Sequence, residues 1–421
     1  MEESAIRKVS VAPNTEQTVH TALLVLAGCT LGYSLSCILG GPASDEGFHA
    51  PQIWHYYTGG TEHFDNITVP TTYHYVIGFV MRQLGYYHDY LLRLVNLMVA
   101  LCVLPVFYQS VRRYQPGHAS VRTLQLFYAP LMFPYFFMIY TDLWALLFVG
   151  TCFYLTLGRH YLLAGVAGLG AVLLRQDSII WVGLAYLLVA TEDLEFRRPL
   201  PIRRLLGNAL KRGAPLALLL LLFVGFVIYN GGVAVGDRSA HQISQFNISN
   251  LYVMLTCAWL LFFPLCIQQI PRILALRHNV RARLWIGLAV LGGFLVYMGT
   301  FSNPHPYNNT LFHFFMHNGL LYLMSEYVVF RALLYIPIAW MALTLCVMPY
   351  PDKRCYWLLL VAPIAVISHP LIEPRYYFPI YLLVQMWRPA MNMTAEWFTL
   401  GYYMLGASFI MYGTVTGWFF L

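Results

Sequence analysis

Long runs of apolar residues alternate with short polar segments along most of the chain. A helix that crosses a membrane needs about 20 residues, or somewhat fewer inside a bundle. Runs of such length begin near Thr21, Leu91, Thr123, Leu143, Tyr161, Ser178, Ala214, Leu251, Leu284, Ala332, Tyr356, Tyr376 and Phe398. The shorter run Thr72–Leu84 predicts a partial or re-entrant helix. We therefore expect an all-α polytopic membrane protein with about 11–13 transmembrane helices.

Composition supports this class. Of the 421 residues, 59% are hydrophobic and 10% are charged, whereas soluble domains carry about 25% charged residues. The run Thr21–Leu39 is longer than the apolar core of a signal peptide and predicts a retained anchor. We expect a cytosolic tail over residues 1–20, a single transmembrane domain over residues 21–421, and contact with membrane lipids. The net charge of +7 has no soluble basic domain to carry it, so basic loops are favoured over a nucleic-acid partner.

Lysine and arginine give the chain an orientation, because cytosolic loops are enriched in them. With the N-terminus in the cytosol, most of the 25 basic residues fall on the cytosolic side. The longest cytosolic loop covers residues 191–213, where Glu192–Arg212 predicts an amphipathic helix on the membrane surface. The opposite side receives the first loop, residues 41–71, and the polar clusters Tyr140–Asp142, Arg175–Asp177, Gly231–Gln242, Ser302–Asn309 and Ile372–Tyr377. The unusual charges thus converge on one face, where we expect the functional site.

Four Asn-x-Ser/Thr sequons and eight cysteines add little to this picture. The sequons are at Asn66, Asn247, Asn308 and Asn392, and the first three fall on the non-cytosolic side. Since such motifs arise often by chance, they support the orientation only weakly. The cysteines form no CxxC pair and mostly lie in apolar runs, which favours packing over a disulfide or metal framework.

Two adjacent carboxylates, Asp45 and Glu46, stand where the first membrane helix leaves the bilayer. A carboxylate at a membrane edge is costly unless it has a role, and it can take a proton from a hydroxyl nucleophile. An exposed, solvated loop pair is an equal alternative. The loop also carries His49, Gln52 and several aromatic residues, which suit a sugar face as well as an interfacial anchor.

Two further clusters interrupt apolar runs. Asp142 is the only charged residue between Arg122 and Arg159. It is either a functional acid at the end of a span or the cap of the following helix. Arg175 is suited to bind a phosphate bidentately, although a local pair with Asp177 that neutralises both charges is a serious alternative.

A glycine-rich approach leads to Asp237, Arg238 and His241, which either build a polar site or form a turn before a helix. His313 and His317 have the spacing of a helical metal pair, but no third ligand lies close in sequence, so we expect no metal site. The chain also lacks a P-loop, a GxSxG motif, a Rossmann fingerprint and an HExxH motif. Nucleotide hydrolysis is therefore not indicated.

Near the end of the chain, Glu373, Arg375 and Tyr376 stand at the mouth of a late apolar run. Arg375 either binds a lipid phosphate or extends to the membrane interface. His305 and Tyr307 belong to the polar segment SNPHPYNN on the same face.

Taken in order, these clusters resemble the motifs of the asparagine-linked glycosylation α-1,2-glucosyltransferase family. The resemblance rests on DEGFHAPQIWHYY with FDNITVPTTY in the first loop, and on YTDLWALLF, LRQDSIIWV, YNGGVAVGDRSAH, NPHPY and EPRYYFP further on. YNGGVAVGDRSAH is the most similar of these to its family counterpart. The chain departs from the pattern at Phe64–Asn66, where the family has Trp-Asp-Pro, and at Asp177, which is usually neutral.

The resemblance implies a GT-C-like helical bundle in the endoplasmic reticulum membrane, with a catalytic first lumenal loop and an active site facing the lumen. The implied reaction transfers glucose with inversion from dolichyl phosphate glucose to the diglucosylated dolichyl-diphosphate oligosaccharide, forming the terminal α-1,2 linkage. Asp45 is then expected to be the general base, with Glu46 as support or as the second candidate. Arg375, with Arg238 or Arg175, is expected to hold the donor phosphate, so that no metal or other cofactor is needed.

The remaining residues expected to bind substrate or shape the site are His49, Gln52, Asp142, Asp237, His241, His305, Tyr307, Glu373 and Tyr376. Three alternatives stay open at this point. The first is a GT-C transferase for another polyprenyl-phosphate sugar. The second is a secondary transporter in which Asp142 and Asp177 carry coupling ions, although the sequence shows no internal repeat. The third is a non-catalytic membrane chaperone related to the transferases.

Overall fold

The structure, a computed structural model, describes residues 15–39, 42–194, 201–236, 246–308 and 319–418. In these segments the regular structure consists of helices and short helical turns, without a strand, which confirms the all-α expectation. The helices are α1 (Thr15–Ile38), α2 (Glu46–Tyr57), α3 (Thr72–Leu84), α4 (Asp89–Ala100), α5 (Val103–Arg112), α6 (Ala119–Phe127), α7 (Asp142–Leu157), α8 (Tyr161–Leu174), α9 (Ile179–Ala190), α10 (Ile202–Gly207), α11 (Ala214–Asn230), α12 (Ser249–Leu261), α13 (Phe263–Ala275), α14 (Val280–Thr300), α15 (Gly319–Glu326), α16 (Val328–Val347), α17 (Leu358–Ile367), α18 (Phe378–Trp387) and α19 (Met393–Thr416).

Several of these helices are long and apolar enough to cross a membrane. By length and composition, four segments qualify: Thr18–Ile38, Asp89–Arg112, Val280–Thr300 and Val328–Val347. Two bent pairs raise the number to six if each pair is one span: Ile202–Arg212 with Ala214–Asn230, bent by 74°, and Ser249–Leu261 with Phe263–His278, bent by 96°. The described residues thus confirm a polytopic membrane protein. They give fewer candidate spans than the 11–13 expected, because apolar runs such as those of α7, α8 and α9 form helices of only 10–17 residues.

Helices α7 and α8 form an antiparallel pair joined by a short turn. Gly165 of α8 lies against Pro215 of α11, where a Cβ would come within 2.9 Å of the proline ring, so a small residue lets these helices approach closely. Helix α9 packs against both α7 and α8. Because α7 begins at Asp142, α8 ends just before Arg175 and α9 follows Asp177, these three charged residues lie together at one end of the bundle.

A second charged cluster is buried between α6, the end of α18 and α19. The carboxylate of Glu396 receives hydrogen bonds of 2.6 and 2.9 Å from Arg388 and one of 2.9 Å from Gln125, and it lies 3.4 Å from Nε of Arg122. The side chains of all three charged residues are 1% exposed or less. Arg122 and Arg388 are among the basic residues that the orientation rule assigns to the cytosolic side. Both are buried in the bundle, where they share the single carboxylate of Glu396.

The described part of loop 191–213 contains a short helical segment, Ile202–Arg212, which bends by 74° into α11. Ile202, Leu206 and Leu210, each four residues apart, expose 66%, 51% and 71% of their surface. An exposed aliphatic stripe beside basic residues is typical of a helix lying in the membrane interface. The amphipathic helix predicted there is thus present in part, and its position in the bilayer stays a prediction.

Candidate active site

A cavity of ≈ 420 Å³ opens where the first loop meets the ends of α8 and α17. This volume is within the range of small-molecule binding sites. Its wall comes from segments far apart in the sequence: the start of α2, the loop before α3, the α8–α9 junction, and the loop between α17 and α18. The charged and polar residues that line it are Asp45, His49, Asn66, Thr68, Thr141, Arg175, Gln176, Asp177, Tyr307, Ser368, His369, Arg375 and Tyr376. The fold therefore brings most of the polar clusters noted in the sequence to one place.

Arg375 is the centre of the charged network. Its Nη2 lies 2.6 Å from Oδ2 of Asp45, and its Nε lies 2.5 Å from Oε1 of Glu373. Its Nη1 is 3.9 Å from Oδ2 of Asp142, and the guanidinium lies over the ring of Tyr140 at 5.3 Å from the centroid. Burial disfavours the cation, but the three carboxylates outweigh it and raise the pKa of Arg375 well above its ordinary value. Arg375 is therefore a permanent positive charge in the cavity wall.

Arg175 forms the second positive centre. Its Nη1 donates to Oδ1 of Asp142 at 2.9 Å, and its Nη2 donates to Oδ2 of Asp177 at 2.9 Å. Nε2 of His369 lies 3.6 Å from the same oxygen of Asp177. Burial works to raise the pKa of Asp177, yet the charges of Arg175 and His369 outweigh it and lower the pKa. Asp142, which lies between Arg175 and Arg375, joins the two positive centres into one network.

The ring of Tyr376 lies in the middle of three basic side chains. His369 stacks on it with ring centroids 4.0 Å apart and planes 14° apart. The guanidinium carbons of Arg175 and Arg375 lie 5.5 Å and 6.0 Å from the same centroid. The aromatic face stabilises nearby cations and fixes their positions relative to one another.

Two buried carboxylate oxygens in the network lack a hydrogen-bond donor among the described residues, namely Oδ2 of Asp142 and Oε2 of Glu373. Burial raises the pKa of Glu373 to about 7, and the charges of Asp45 and Asp142 add to this while Arg375 opposes it. Buried polar atoms are normally paired, so an unpaired acceptor here is suited to receive a proton or a substrate hydroxyl.

Glu46 has a different environment from its neighbour Asp45. Its side chain is fully buried, and its two oxygens accept hydrogen bonds from Nε and Nη2 of Arg93 at 3.0 and 2.6 Å. The backbone N–H groups of Ala43 and Ile139 donate to the same carboxylate at 2.8 Å each. Glu46 does not line the cavity. Its acceptor positions are used in holding the first loop to α4 and to the segment before α7, and its expected role as supporting or alternative base stays a prediction.

His49 and Gln52, the other first-loop residues of the expected site, also differ in whether they line the cavity. His49 lines the cavity, and its Nδ1 is 2.8 Å from Nε2 of the buried His74. Burial lowers the pKa of His49 to about 4, so this imidazole stays neutral near pH 7. Gln52 lies behind the cavity wall, where it donates to the Glu62 carbonyl at 3.0 Å and accepts from the Phe64 N–H at 2.7 Å. Gln52 therefore shapes the loop without reaching the cavity.

Asparagine side chains hold the segment that leads to Glu373 and Arg375. Nδ2 of Asn250 donates to the carbonyls of His369 and Leu371 at 2.8 and 3.0 Å, and Nδ2 of Asn247 donates to that of Pro370 at 2.9 Å. These side-chain hydrogen bonds take the place of the backbone hydrogen bonds that a helix or sheet would supply. The segment is therefore extended and still fixed.

A third asparagine, Asn308, exchanges two hydrogen bonds with the backbone of Ile372, at 2.9 and 2.7 Å. Together, Asn247, Asn250 and Asn308 form what we call the asparagine clamp. The side-chain amides of Asn247 and Asn308 are thus both engaged with backbone groups. Asn66 is exposed at the cavity rim.

Tyr307 lines the cavity, whereas His305 supports it from behind. The rings of the two residues are 5.1 Å apart, and Nδ1 of His305 accepts a hydrogen bond of 3.2 Å from the Tyr307 N–H. Asp237, Arg238 and His241 lie outside the described residues, as do His313 and His317.

The approach to the Asp237–His241 segment is described as far as Gly236. This glycine has φ +70° and lies so close to the first loop that a Cβ would come within 2.5 Å of the Ile67 carbonyl oxygen. Only glycine fits such a close approach in the left-handed region. The glycine-rich segment thus touches the first loop at the edge of the cavity.

Sequence reasoning missed two members of the site. His369 stands alone in an apolar stretch, and no neighbouring charge signals its role. The hydroxyl of Tyr140 accepts a 3.2 Å hydrogen bond from the Asp45 N–H, although Tyr140 was noted only as part of a helix junction. In the described segments, no group of three or more His, Cys, Asp or Glu side chains is arranged to hold a metal ion.

Comparison with known proteins finds relatives of similar sequence. The sequence profile of the DIE2/ALG10 family matches residues 41–199 and 196–386. A protein of Debaryomyces hansenii is 24% identical over 88% of this chain and 88% of its own length, and one of Homo sapiens is 24% identical over 86% and 87%. A protein of Candida albicans is 26% identical over 50% of this chain, and that match spans about half, 54%, of the Candida protein. All three are named Dol-P-Glc:Glc(2)Man(9)GlcNAc(2)-PP-Dol alpha-1,2-glucosyltransferase. No solved structure matches the chain significantly.

Proposed function

The chain belongs to the DIE2/ALG10 family, and we propose that it is a dolichyl-phosphate-glucose-dependent α-1,2-glucosyltransferase. In this proposal it transfers glucose from dolichyl phosphate glucose to the diglucosylated dolichyl-diphosphate oligosaccharide, with inversion at the anomeric carbon. It acts from the endoplasmic reticulum membrane, with the cavity facing the lumen. The names of the relatives support the substrates, and the residues in the cavity support the chemistry.

The observation that carries the proposal is the carboxylate of Asp45 and two guanidinium groups in the wall of the same cavity. Asp45 lines the cavity with a side chain that is 31% exposed, whereas Glu46 is fully buried. A general base must reach the hydroxyl that it deprotonates. Asp45 therefore takes the proton of the acceptor 2-hydroxyl, and Glu46 holds the loop that presents Asp45.

Arg175 and Arg375 are the groups that stabilise the leaving dolichyl phosphate. Negative charge accumulates on the phosphate as its bond to glucose breaks, and fixed cations in a site that excludes water stabilise that charge. Both guanidinium groups are largely buried, with 13% and 11% of their side chains exposed. They are also paired with carboxylates before substrate arrives, so the phosphate enters by exchange.

The exchange links donor binding to activation of the base. In the described structure Asp45 is held by Arg375 at 2.6 Å. When the donor phosphate takes part of that guanidinium, Asp45 loses a partner and its carboxylate turns to the acceptor hydroxyl. As Asp45 takes the proton of the acceptor hydroxyl, the acceptor oxygen attacks the anomeric carbon on the face opposite the phosphate and displaces dolichyl phosphate, which gives inversion. This sequence requires no covalent glucosyl-enzyme intermediate.

The decisive experiment is transfer in vitro with the purified chain, dolichyl phosphate glucose and the diglucosylated acceptor. Asp45→Asn is expected to reduce kcat by roughly 10²–10⁴-fold, the contribution of a positioned general base. The matched control is Asp89→Asn, which removes a carboxylate from the first turn of α4, away from the cavity. Near-parental turnover by Asp45→Asn refutes the assignment of the base, and absence of transfer by the parent protein refutes the proposed function.

A further inference from the structure

The described charges around the cavity do not favour an anion. Four carboxylates, those of Asp45, Asp142, Asp177 and Glu373, surround the two arginines. Each guanidinium is thus already neutralised by at least one acid. A phosphate that enters this network needs a further positive charge near it, because like charges in a confined site repel one another.

Two histidines line the cavity in the described part of the chain and are candidates for that charge. His49 is unsuitable, since burial lowers its pKa to about 4 and its Nδ1 lies 2.8 Å from His74. His369 is partly exposed and lies near a carboxylate. Its side chain is 20% exposed, and its Nε2 lies 3.6 Å from the carboxylate of Asp177, which favours the protonated imidazole.

The position of His369 is also fixed relative to both arginines. Its ring stacks on Tyr376 at 4.0 Å, and the guanidinium groups of Arg175 and Arg375 lie within 6.0 Å of the same ring. Asn250 of the asparagine clamp holds the His369 carbonyl at 2.8 Å, so its backbone does not drift. Three basic side chains from two loops therefore surround one aromatic ring at the wall of the cavity.

We propose that His369, in its protonated form, is the third cationic group that binds the phosphate of the lipid donor, together with Arg175 and Arg375. The residue specific to this inference is His369, and the ligand class is a polyprenyl phosphate; the inference rests on the proposed function for the donor class and for the phosphate-binding roles of Arg175 and Arg375. The groups near His369 include the carboxylate of Asp177, the ring of Tyr376 and, at the same ring, the guanidinium groups of Arg175 and Arg375. Binding is by charge and hydrogen bonding, and no covalent bond to His369 forms.

The test uses the full-length protein in lipid nanodiscs and measures the KM for dolichyl phosphate glucose between about pH 6 and pH 8, the range in which histidine titrates. The donor is a phosphodiester with one constant negative charge over this range. His369→Gln is expected to raise the donor KM by roughly 10- to 100-fold at the acidic end, the effect of a lost charge-assisted hydrogen bond. Its kcat and acceptor KM are expected to stay near those of the parent. His369→Arg keeps the charge and is expected to retain a low donor KM at every pH.

The comparison of the two variants separates the effect of His369 from that of Glu373, whose pKa is raised by burial to about 7. In His369→Arg, the pH dependence of the donor KM that comes from His369 is lost, whereas the part that comes from Glu373 remains. His278→Gln, on an exposed turn between α13 and α14, is the matched control and is expected to behave as the parent. Thermal unfolding checks that each variant folds, and His369→Asn removes the same charge if the glutamine variant is unstable.

A second readout does not depend on glucose. Titration of dolichyl phosphate against the protein, followed by native mass spectrometry, is expected to show weaker binding to His369→Gln than to the parent and His278→Gln. A donor KM for His369→Gln within about twofold of the parent across the pH range overturns the inference. If the parent binds dolichyl phosphate through His369 but transfers no glucose, the proposed function falls and the inference stands. If the parent binds no dolichyl phosphate, both fall.

Discussion

Asp45 and Glu46 are adjacent, but we predict that substitution of Asp45 mainly lowers activity and that substitution of Glu46 mainly lowers stability. Glu46 pairs with Arg93, and the two side chains are 0% and 1% exposed. In Glu46→Gln one carboxylate oxygen becomes an NH₂ group. Either orientation of the amide then directs a donor at one N–H of Arg93 and at the backbone N–H of Ala43 or Ile139. The substitution therefore removes two hydrogen bonds and leaves a buried guanidinium without its counter-charge.

Breaking a buried ion pair from one side costs about 3–5 kcal/mol. The entropy of unfolding is about 2.1 cal/mol/K per residue, so in a chain of 421 residues this cost lowers the midpoint of thermal unfolding by about 3–6 °C. Asp45→Asn, by contrast, alters a partly exposed pair whose arginine keeps Glu373, and it is expected to cost about 1 kcal/mol or less. Its effect on kcat is large, whereas folded Glu46→Gln is expected to lose much less turnover, because it weakens the support of the base and leaves the base itself in place.

The assay is thermal unfolding of the purified variants in one detergent, followed by transfer measured per mole of folded protein. Arg93→Gln and the double variant Glu46→Gln/Arg93→Gln complete a double-mutant cycle. The double variant is expected to be more stable than the sum of the single losses predicts, because neither charge is then left alone. Glu46→Gln with a parental midpoint and no transfer refutes the reasoning, since that result makes Glu46 a reacting group.

Two further predictions concern Glu373, in the charged network, and Gly236, at the edge of the cavity. Because burial raises the pKa of Glu373 to about 7, the folded protein holds more protons than the unfolded chain between about pH 4.5 and pH 7. The stability contribution of Glu373 therefore falls as the pH rises through this window, and Glu373→Gln is expected to flatten the dependence of the unfolding midpoint on pH; an unchanged slope contradicts it. Gly236→Ala places a Cβ 2.5 Å from the Ile67 carbonyl oxygen and 2.6 Å from that of Asp65, so it is expected to lower kcat/KM at least tenfold by displacing the first loop. Gly85→Ala has a similar φ of +66° with open space around it, and equal losses of activity in both variants speak against a role for the contact.

Hydrophobic patterning predicted the all-α membrane architecture, because burial in lipid or in a bundle requires apolar helices whatever the tertiary arrangement. The number of spans was harder to predict. An apolar run does not show where a helix bends, and the run that begins near Leu251 divides at Phe262 into two helices at 96°. Arg122 and Arg388 show a second limit. Both have the sequence context of loop charges, and only the approach of Glu396 from another helix buries them.

The site was predictable where an isolated charge stood in an apolar sequence. Asp142, Arg175 and Arg375 were found in this way, since such charges are expensive and tend to cluster. The choice between Asp45 and Glu46 was not predictable. Consecutive residues at a helix start point about 100° apart, and which of them faces the cavity depends on Arg93, 47 positions away. His369 gave no signal either, because a single histidine beside a proline has many structural roles.

The support of the site explains how its charges exchange partners without a rearrangement of the fold. The asparagine clamp fixes the backbone from His369 to Ile372 through side-chain amides, and Arg375 follows within three residues. Asp45 is held from the other side by the Glu46–Arg93 pair behind it. Groups fixed in this way need little reorganisation when charge develops between them, which is the condition under which electrostatic catalysis is strongest. In the proposed mechanism, donor binding replaces one anion by another around Arg375, and the released carboxylate of Asp45 needs only a small turn to act on the acceptor.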